Sequence, residues 1–292
     1  MQTLARTSDN NCRVIDLIGW TEKYFLSKGL ENGRNIGEIL LQNLLDCKRV
    51  ELYFGSEKQL TQDTIKTFHS WIQRLIKNEP LQYITGTIEF YGLELMITPA
   101  VFIPRPETER VVDIALQILK TVISPKILDV GTGSGCIAIA LANELPEASV
   151  TGIDIDPNML KLAQKNADLH KINNIIFKQM DIQKEIPKES YNLIVSNPPY
   201  IPLNEISDLE KNIKDFEPHI ALTDGADGLT FYHRLASVAS KILHSNGYLI
   251  MEVGQGNHPQ KALKLFKNNA FASNKLIQDY NGDDRVLKVQ SV

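Results

Sequence analysis

From Lys126 to Ser196, short apolar runs alternate with stretches whose apolar residues fall three and four apart. Residues 126–130, 149–153, 174–180 and 191–196 have strand length and strand composition, while 134–145 and 157–170 carry the helical period. In the second helix, Asp156 stands at the N-cap, Pro157 at the first helical position, and Met159, Leu162, Ala163, Asn166 and Ala167 share one face. Strands separated by helices must be joined by crossovers, and crossovers cover both faces of a parallel sheet. The expected fold class is α/β, a doubly wound sheet with its ligand crevice at the carboxyl ends of the strands.

Residues that suit a ligand fall at those ends. Asp129, Val130, Gly131, Thr132, Gly133, Ser134 and Gly135 follow the first strand and open a helix. Glycines there let the backbone approach a ligand, and the helix N-terminus offers free N–H groups. The spacing G-x-G-x-G differs from the G-x-G-x-x-G of dinucleotide binders, which disfavours a nicotinamide-dependent dehydrogenase. Asp154 ends the second strand, where a carboxylate can accept both hydroxyls of a ribose; Asp181 ends the third, where it can take an adenine amine. Asn197, Pro198, Pro199 and Tyr200 follow the fourth. The prolines fix φ and remove two donors, so the Asn197 side chain and the Pro198 carbonyl are stiffly held acceptors beside an aromatic face. Two acceptors suit the two protons of a planar NH2 group, an amide or an exocyclic base amine. The plainer reading is a proline-stiffened turn whose Asn caps backbone.

Before the sheet, Leu17, Ile18, Tyr24 and Phe25, then Leu40, Leu41, Leu44 and Leu45, then Ile65, Phe68, Ile72, Leu75 and Ile76 predict a small helical bundle. From Leu81 to Thr98 the pattern alternates about Tyr91-Gly92, predicting a β-hairpin. Pro99, Pro104 and Pro106 stiffen the segment between this hairpin and the next helix, and Arg105 and Glu107 are read as ion-pair partners that pin it. After the Asn197 loop come a polar segment to Gly228, a helix ended by Asn246-Gly247, a strand over 248–252, a helix over 258–268, and two closing strands about Asn281-Gly282. The chain of 292 residues is 43% hydrophobic, enough for a large core plus a small one. A net charge of -4 supplies no basic field for nucleic acid. Three cysteines at spacings that suit neither a zinc site nor a disulfide framework point to a reduced, cytoplasmic protein, and no metal is expected. No apolar stretch is long enough to span a bilayer, and no secretory leader pattern is visible.

These motifs together resemble the protein-glutamine N5-methyltransferases of class-1 peptide-chain release factors. The resemblance runs from about residue 36 and rests on residues 79–84 with Gly86, 103–109, 129–135, Asp154, 197–201, Phe216-Glu217-Pro218, Asp227-Gly228-Leu229, Glu252-Val253-Gly254 and Asp284-Arg285-Val286. It implies a seven-stranded, Rossmann-like methyltransferase sheet over residues 104–292, a hairpin linker over 81–103 and a helical substrate-recognition domain over 1–80. It also implies S-adenosylmethionine as methyl donor and the glutamine of a Gly-Gly-Gln motif as acceptor. By the same resemblance Gly131 to Gly135, Asp154, Asp181, Ile182 and Asn197 contact the cofactor, and Asn197 to Tyr200 the glutamine. Ile182 departs from members with an aromatic residue there, so adenine packing is expected to be aliphatic. Release factors are then the partners, with no direct nucleic-acid binding and no membrane. The competing classes are an adenine or guanine amine methyltransferase on nucleic acid, and a module that holds the cofactor without catalysis.

Overall fold

The computed structural model describes residues 12–267 and 271–292; the terminal residues 1–11 and the expected helix end at Asn268 lie outside them. The chain divides into two units, Met1–Thr85 and Gly86–Val292.

The first unit holds α1 (Val14–Leu26), α2 (Gly33–Leu45), α3 (Arg49–Phe54), α4 (Gln62–Ile76) and α5 (Leu81–Thr85). Leu17, Ile18, Leu40, Leu41, Phe68 and Ile72 are buried in one cluster, as their spacing predicts. α4 is capped by Thr61, whose hydroxyl accepts the Thr64 N–H at 3.1 Å. Helix α3 is not evident from the sequence. It is held by a buried carboxylate: Glu38 of α2 takes Arg49 Nε at 2.6 Å and the Tyr53 hydroxyl. Nor does alternation begin at Leu81, because residues 81–85 form one helical turn after Pro80.

In the second unit, β1 (Thr87–Phe90) and β2 (Leu93–Met96) pair antiparallel. Tyr91 and Gly92 both take positive φ, 51° and 73°, as a two-residue hairpin turn requires. Tyr91 is pinned to α6 (Glu109–Leu119): its N–H donates to Glu109 at 2.8 Å and its hydroxyl to Asp113 at 3.0 Å. Then come β3 (Lys126–Val130), α7 (Cys136–Glu144), β4 (Ser149–Asp154), α8 (Pro157–Leu169), β5 (Ile175–Gln179) and β6 (Tyr191–Ser196). Two short helices, α9 (Lys211–Lys214) and α10 (His219–Leu222), precede α11 (Thr230–Ile242), β7 (Leu243–Glu252), α12 (His258–Leu265), β8 (Phe271–Gln278) and β9 (Asp284–Ser291).

The seven strands run in the order β5-β4-β3-β6-β7-β9-β8. β3 to β7 are mutually parallel, and β9 is antiparallel to both β7 and β8. The order reverses between β3 and β6, which opens a crevice at their carboxyl ends. Helix α11 stops at Ile242, four residues before the expected Asn246-Gly247. Those two residues instead sit in a register shift of β7 against β6, with Asn246 at φ 63°. Helix α8 is as expected, capped by Asp156 onto the Asn158 N–H at 2.8 Å. Its one buried polar side chain, Asn166, takes the Met96 N–H at 2.8 Å and donates to the Ser134 carbonyl at 2.9 Å, which ties the hairpin to the glycine loop. No helix among the described residues is long and apolar enough to cross a membrane.

Candidate active site

A cavity of about 500 Å³ opens at the switch between β3 and β6. Asp129, Gly131, Thr132, Gly133, Ser134, Asp154, Asp181, Ile182 and residues 197–200 all line it. Gly135 does not. It sits behind the wall at φ 84°, where a Cβ would come within 2.8 Å of Ile139 and 3.1 Å of Ala163. Its glycine is required for the turn into α7 and for close packing on α8.

The glycine loop is drawn over β4, the Gly131 and Thr132 N–H groups both donating to the Ile153 carbonyl at 2.9 and 3.0 Å. Asp129 is buried beneath it. Its Oδ2 accepts the Thr132 hydroxyl at 2.7 Å, while Oδ1 has no hydrogen-bond partner. Burial pushes this carboxyl up to about 7, against the Thr132 hydrogen bond. Asp154 accepts the Gly133 N–H and the Asp156 N–H, each at 3.0 Å, which aims its carboxylate along the cavity wall. Burial raises its pKa, with those backbone donors acting against the rise. Asp181 is already engaged, by Lys184 Nζ at 2.9 Å and the Gln183 N–H at 3.0 Å, and Lys184 holds its carboxyl below the usual range. Ile182 is buried in the wall, its carbonyl held by Arg234 Nε at 2.6 Å.

Across the cavity, Ser196 at the end of β6 donates to the Val130 carbonyl at 2.8 Å and so fixes where Asn197 leaves the sheet. Asn197 Nδ2 donates to Thr108 Oγ1 at 3.2 Å, and Thr108 in turn donates to Glu252 Oε2 at 2.6 Å. The Tyr200 hydroxyl donates to Glu252 Oε1 at 3.2 Å. Burial pushes Glu252 up to about 7, opposed by Thr108, Arg285 and Tyr200, and drives the Tyr200 phenol far above its ordinary value. Tyr200 is seated closely: a Cβ on Gly254 would come within 3.0 Å of its ring, and one on Gly228 within 2.2 Å of its carbonyl oxygen. His258 accepts the Gly254 N–H at Nδ1, 3.2 Å away, and donates from Nε2 to the Gly228 carbonyl at 3.0 Å. That arrangement needs a neutral ring, and burial lowers its pKa accordingly.

One contact differs from the expectation of the sequence. Arg105 pairs with Glu217, not with Glu107; Glu217 is almost fully buried and also takes the Ile103 N–H. The pair pins the segment before α6 to the chain before α10, a contact 112 residues long that spacing could not reveal. The inward-facing roles of Thr108 and Glu252 are likewise invisible in the sequence, although both lie in motifs that carry the family resemblance. Their partners are 89 and 144 residues away along the chain, so no local pattern marks them.

The cavity fits a nucleoside linked to an amino acid. A buried carboxylate with a free oxygen suits an ammonium group, Asp154 suits a pair of vicinal hydroxyls, and the volume is in the range of small-molecule sites. A methyltransferase domain model matches residues 124–287. A methyltransferase from Pyrococcus furiosus shares the fold at a TM-score of 0.50 and 16% identity, over 76% of this chain and 98% of that one. Fold and site thus define an S-adenosylmethionine-dependent methyltransferase.

A PrmC N-terminal domain model matches residues 16–86. The release factor glutamine methyltransferase of Geobacter sulfurreducens is 39% identical over 271 residues, 93% of this chain and 94% of that protein. That of Rhodopirellula baltica is 33% identical over 98% of this chain and 99% of its own length. The chain belongs to the release factor glutamine methyltransferase family.

Proposed function

We propose that this enzyme transfers a methyl group to the side-chain amide nitrogen, N5, of the glutamine in the Gly-Gly-Gln motif of class-1 peptide-chain release factors. Bound S-adenosylmethionine supplies a methyl group activated by its sulfonium. Asp129 would hold its ammonium end, Asp154 its ribose and Ile182 one face of its base, with the glycine loop between them.

The observation that carries the reading is Asn197, a side-chain amide in the same cavity as Asp154, anchored through Nδ2 so that Oδ1 remains as acceptor. An amide nitrogen is a weak nucleophile because its lone pair is delocalised. Asn197 Oδ1 and the Pro198 carbonyl would take its two protons, aim the nitrogen, and offset the positive charge that grows on it during displacement. Tyr200 walls the site. Its hydroxyl donates to Glu252 and its pKa is raised, so it stays protonated and is no base. The excess proton of the methylated amide is acidic enough to leave to water.

We assign substrate recognition to the helical unit and a cytoplasmic location to the protein, whose three cysteines are free thiols. Direct nucleic-acid binding forms no part of the reading. The test is Asn197→Ala, which is expected to lower turnover on a release factor on the order of 100-fold while the fold is retained, because the lost dipole acts on the transition state. A folded variant with near wild-type turnover would remove Asn197 from the clamp.

A further inference from the structure

Asn197 can clamp an NH2 group only if its own amide points the right way. The two orientations of a primary amide have almost the same shape but opposite polarity: one offers an acceptor to the cavity, the other a donor. We propose, on the function just given, that Thr108 and Glu252 are positioning residues forming a polarity relay that fixes Asn197 with its acceptor toward the substrate nitrogen.

Counting protons fixes the orientation. Glu252 Oε2 lies 2.6 Å from the Thr108 hydroxyl and Oε1 lies 3.2 Å from the Tyr200 hydroxyl. An ionised carboxylate has no proton to give, so both hydroxyls must donate to it. Thr108 has a single proton, and with that directed at Glu252 it offers only lone pairs to Asn197, 3.2 Å away. Only Nδ2 can meet a lone pair. Oδ1 is therefore turned away from Thr108, and the polarity of the clamp is set by a carboxylate that reaches Asn197 only through Thr108. Thr108 and Glu252 are both 1% exposed, so the bond between them is shielded from water. Burial pushes Glu252 up to about 7, opposed by Thr108 and by Arg285, itself held by Asp279 at 3.1 Å, so the carboxylate is the anion, and the relay is set, above that pH. Tyr232 donates to the Glu252 backbone carbonyl, which fixes the residue at the end of β7.

The test uses the full-length enzyme at pH 8 with an intact release factor. Thr108→Val preserves shape and removes the hydroxyl; Thr108→Ser preserves the hydroxyl and removes a methyl. The relay predicts that Thr108→Val lowers kcat about tenfold or more, the scale of a misaligned preorganised dipole, with cofactor affinity unchanged. It predicts that Thr108→Ser keeps most of the wild-type kcat. Wild-type kcat in Thr108→Val would overturn the relay, as would equal losses in the two variants, which would assign the effect to packing. If Thr108→Val fails to fold by circular dichroism, Thr108→Ala serves as the hydroxyl-free variant under the same criteria. A wild-type enzyme that does not methylate the factor at all would instead overturn the proposed function, so the two failures are distinguishable.

Discussion

Asp129 carries the sharpest consequence among single residues. Its carboxyl is pushed up to about 7 by burial, with one oxygen unpartnered in the cavity wall. An ammonium group bound there requires the ionised form, so binding must expel whatever proton Asp129 holds. S-adenosylmethionine affinity therefore rises as pH increases from about 6 to about 7, where Asp129 ionises while the ligand amine is still an ammonium, and below the pKa it falls toward about tenfold per pH unit. Calorimetry in buffers of different ionisation enthalpy should register proton release near pH 7. Asp129→Asn should abolish that release and weaken binding by roughly 1.5–3 kcal/mol, the scale of a charge-assisted hydrogen bond. An affinity independent of pH in the wild type would take Asp129 out of the ammonium site. Asp154 and Asn197 are legible in the sequence because each ends an apolar run, and strand ends of an α/β sheet converge on one crevice. Thr108, Glu217 and Glu252 are legible only as parts of a family motif. What each does depends on a partner far along the chain, and hydrophobic periodicity records nothing about such partners.

Among the elements, the loop that seats Tyr200 is the most tightly determined. Asp224 organises it by accepting the N–H groups of Ala226, Gly228 and Thr230 at 2.9 to 3.0 Å. Gly228 then takes φ 81° directly against the Tyr200 carbonyl. Gly228→Ala is therefore expected to destabilise the enzyme by about 1–3 kcal/mol, the usual range for strained backbone, and to lower turnover as Tyr200 shifts. Thermal unfolding followed by assay would check both; a variant with wild-type stability would show that the loop tolerates a Cβ. The strands and the long helices are readable from period alone. Short elements are not: α3 has six residues and α5 has five, too few for a repeat to declare itself. The Asn246-Gly247 pair is a turn signal that the fold uses inside β7, as an irregularity of pairing, and not as the end of α11. The local preference for positive φ is plain in the sequence there, and the tertiary use of it is not.

For the whole molecule, the two units divide the chain at Thr85 and Gly86. Every described residue lining the cavity belongs to the second, while the proposed clamp would accept several kinds of NH2 group equally well. Selection of a folded protein substrate must then draw on contacts outside the cavity, and the helical unit is our candidate for them. Deletion of residues 1–85 should leave S-adenosylmethionine binding largely intact and sharply reduce methylation of an intact release factor, since remote binding energy is what orients the reacting amide. Methylation of a release-factor glutamine is itself open to a single comparison: tritiated methyl transfer from S-adenosylmethionine to an intact class-1 release factor, a short Gly-Gly-Gln peptide and DNA under identical conditions. Label is expected on the glutamine of the intact factor, with little on the peptide and none on DNA. Label in DNA with the release factor unlabelled would contradict the proposed function.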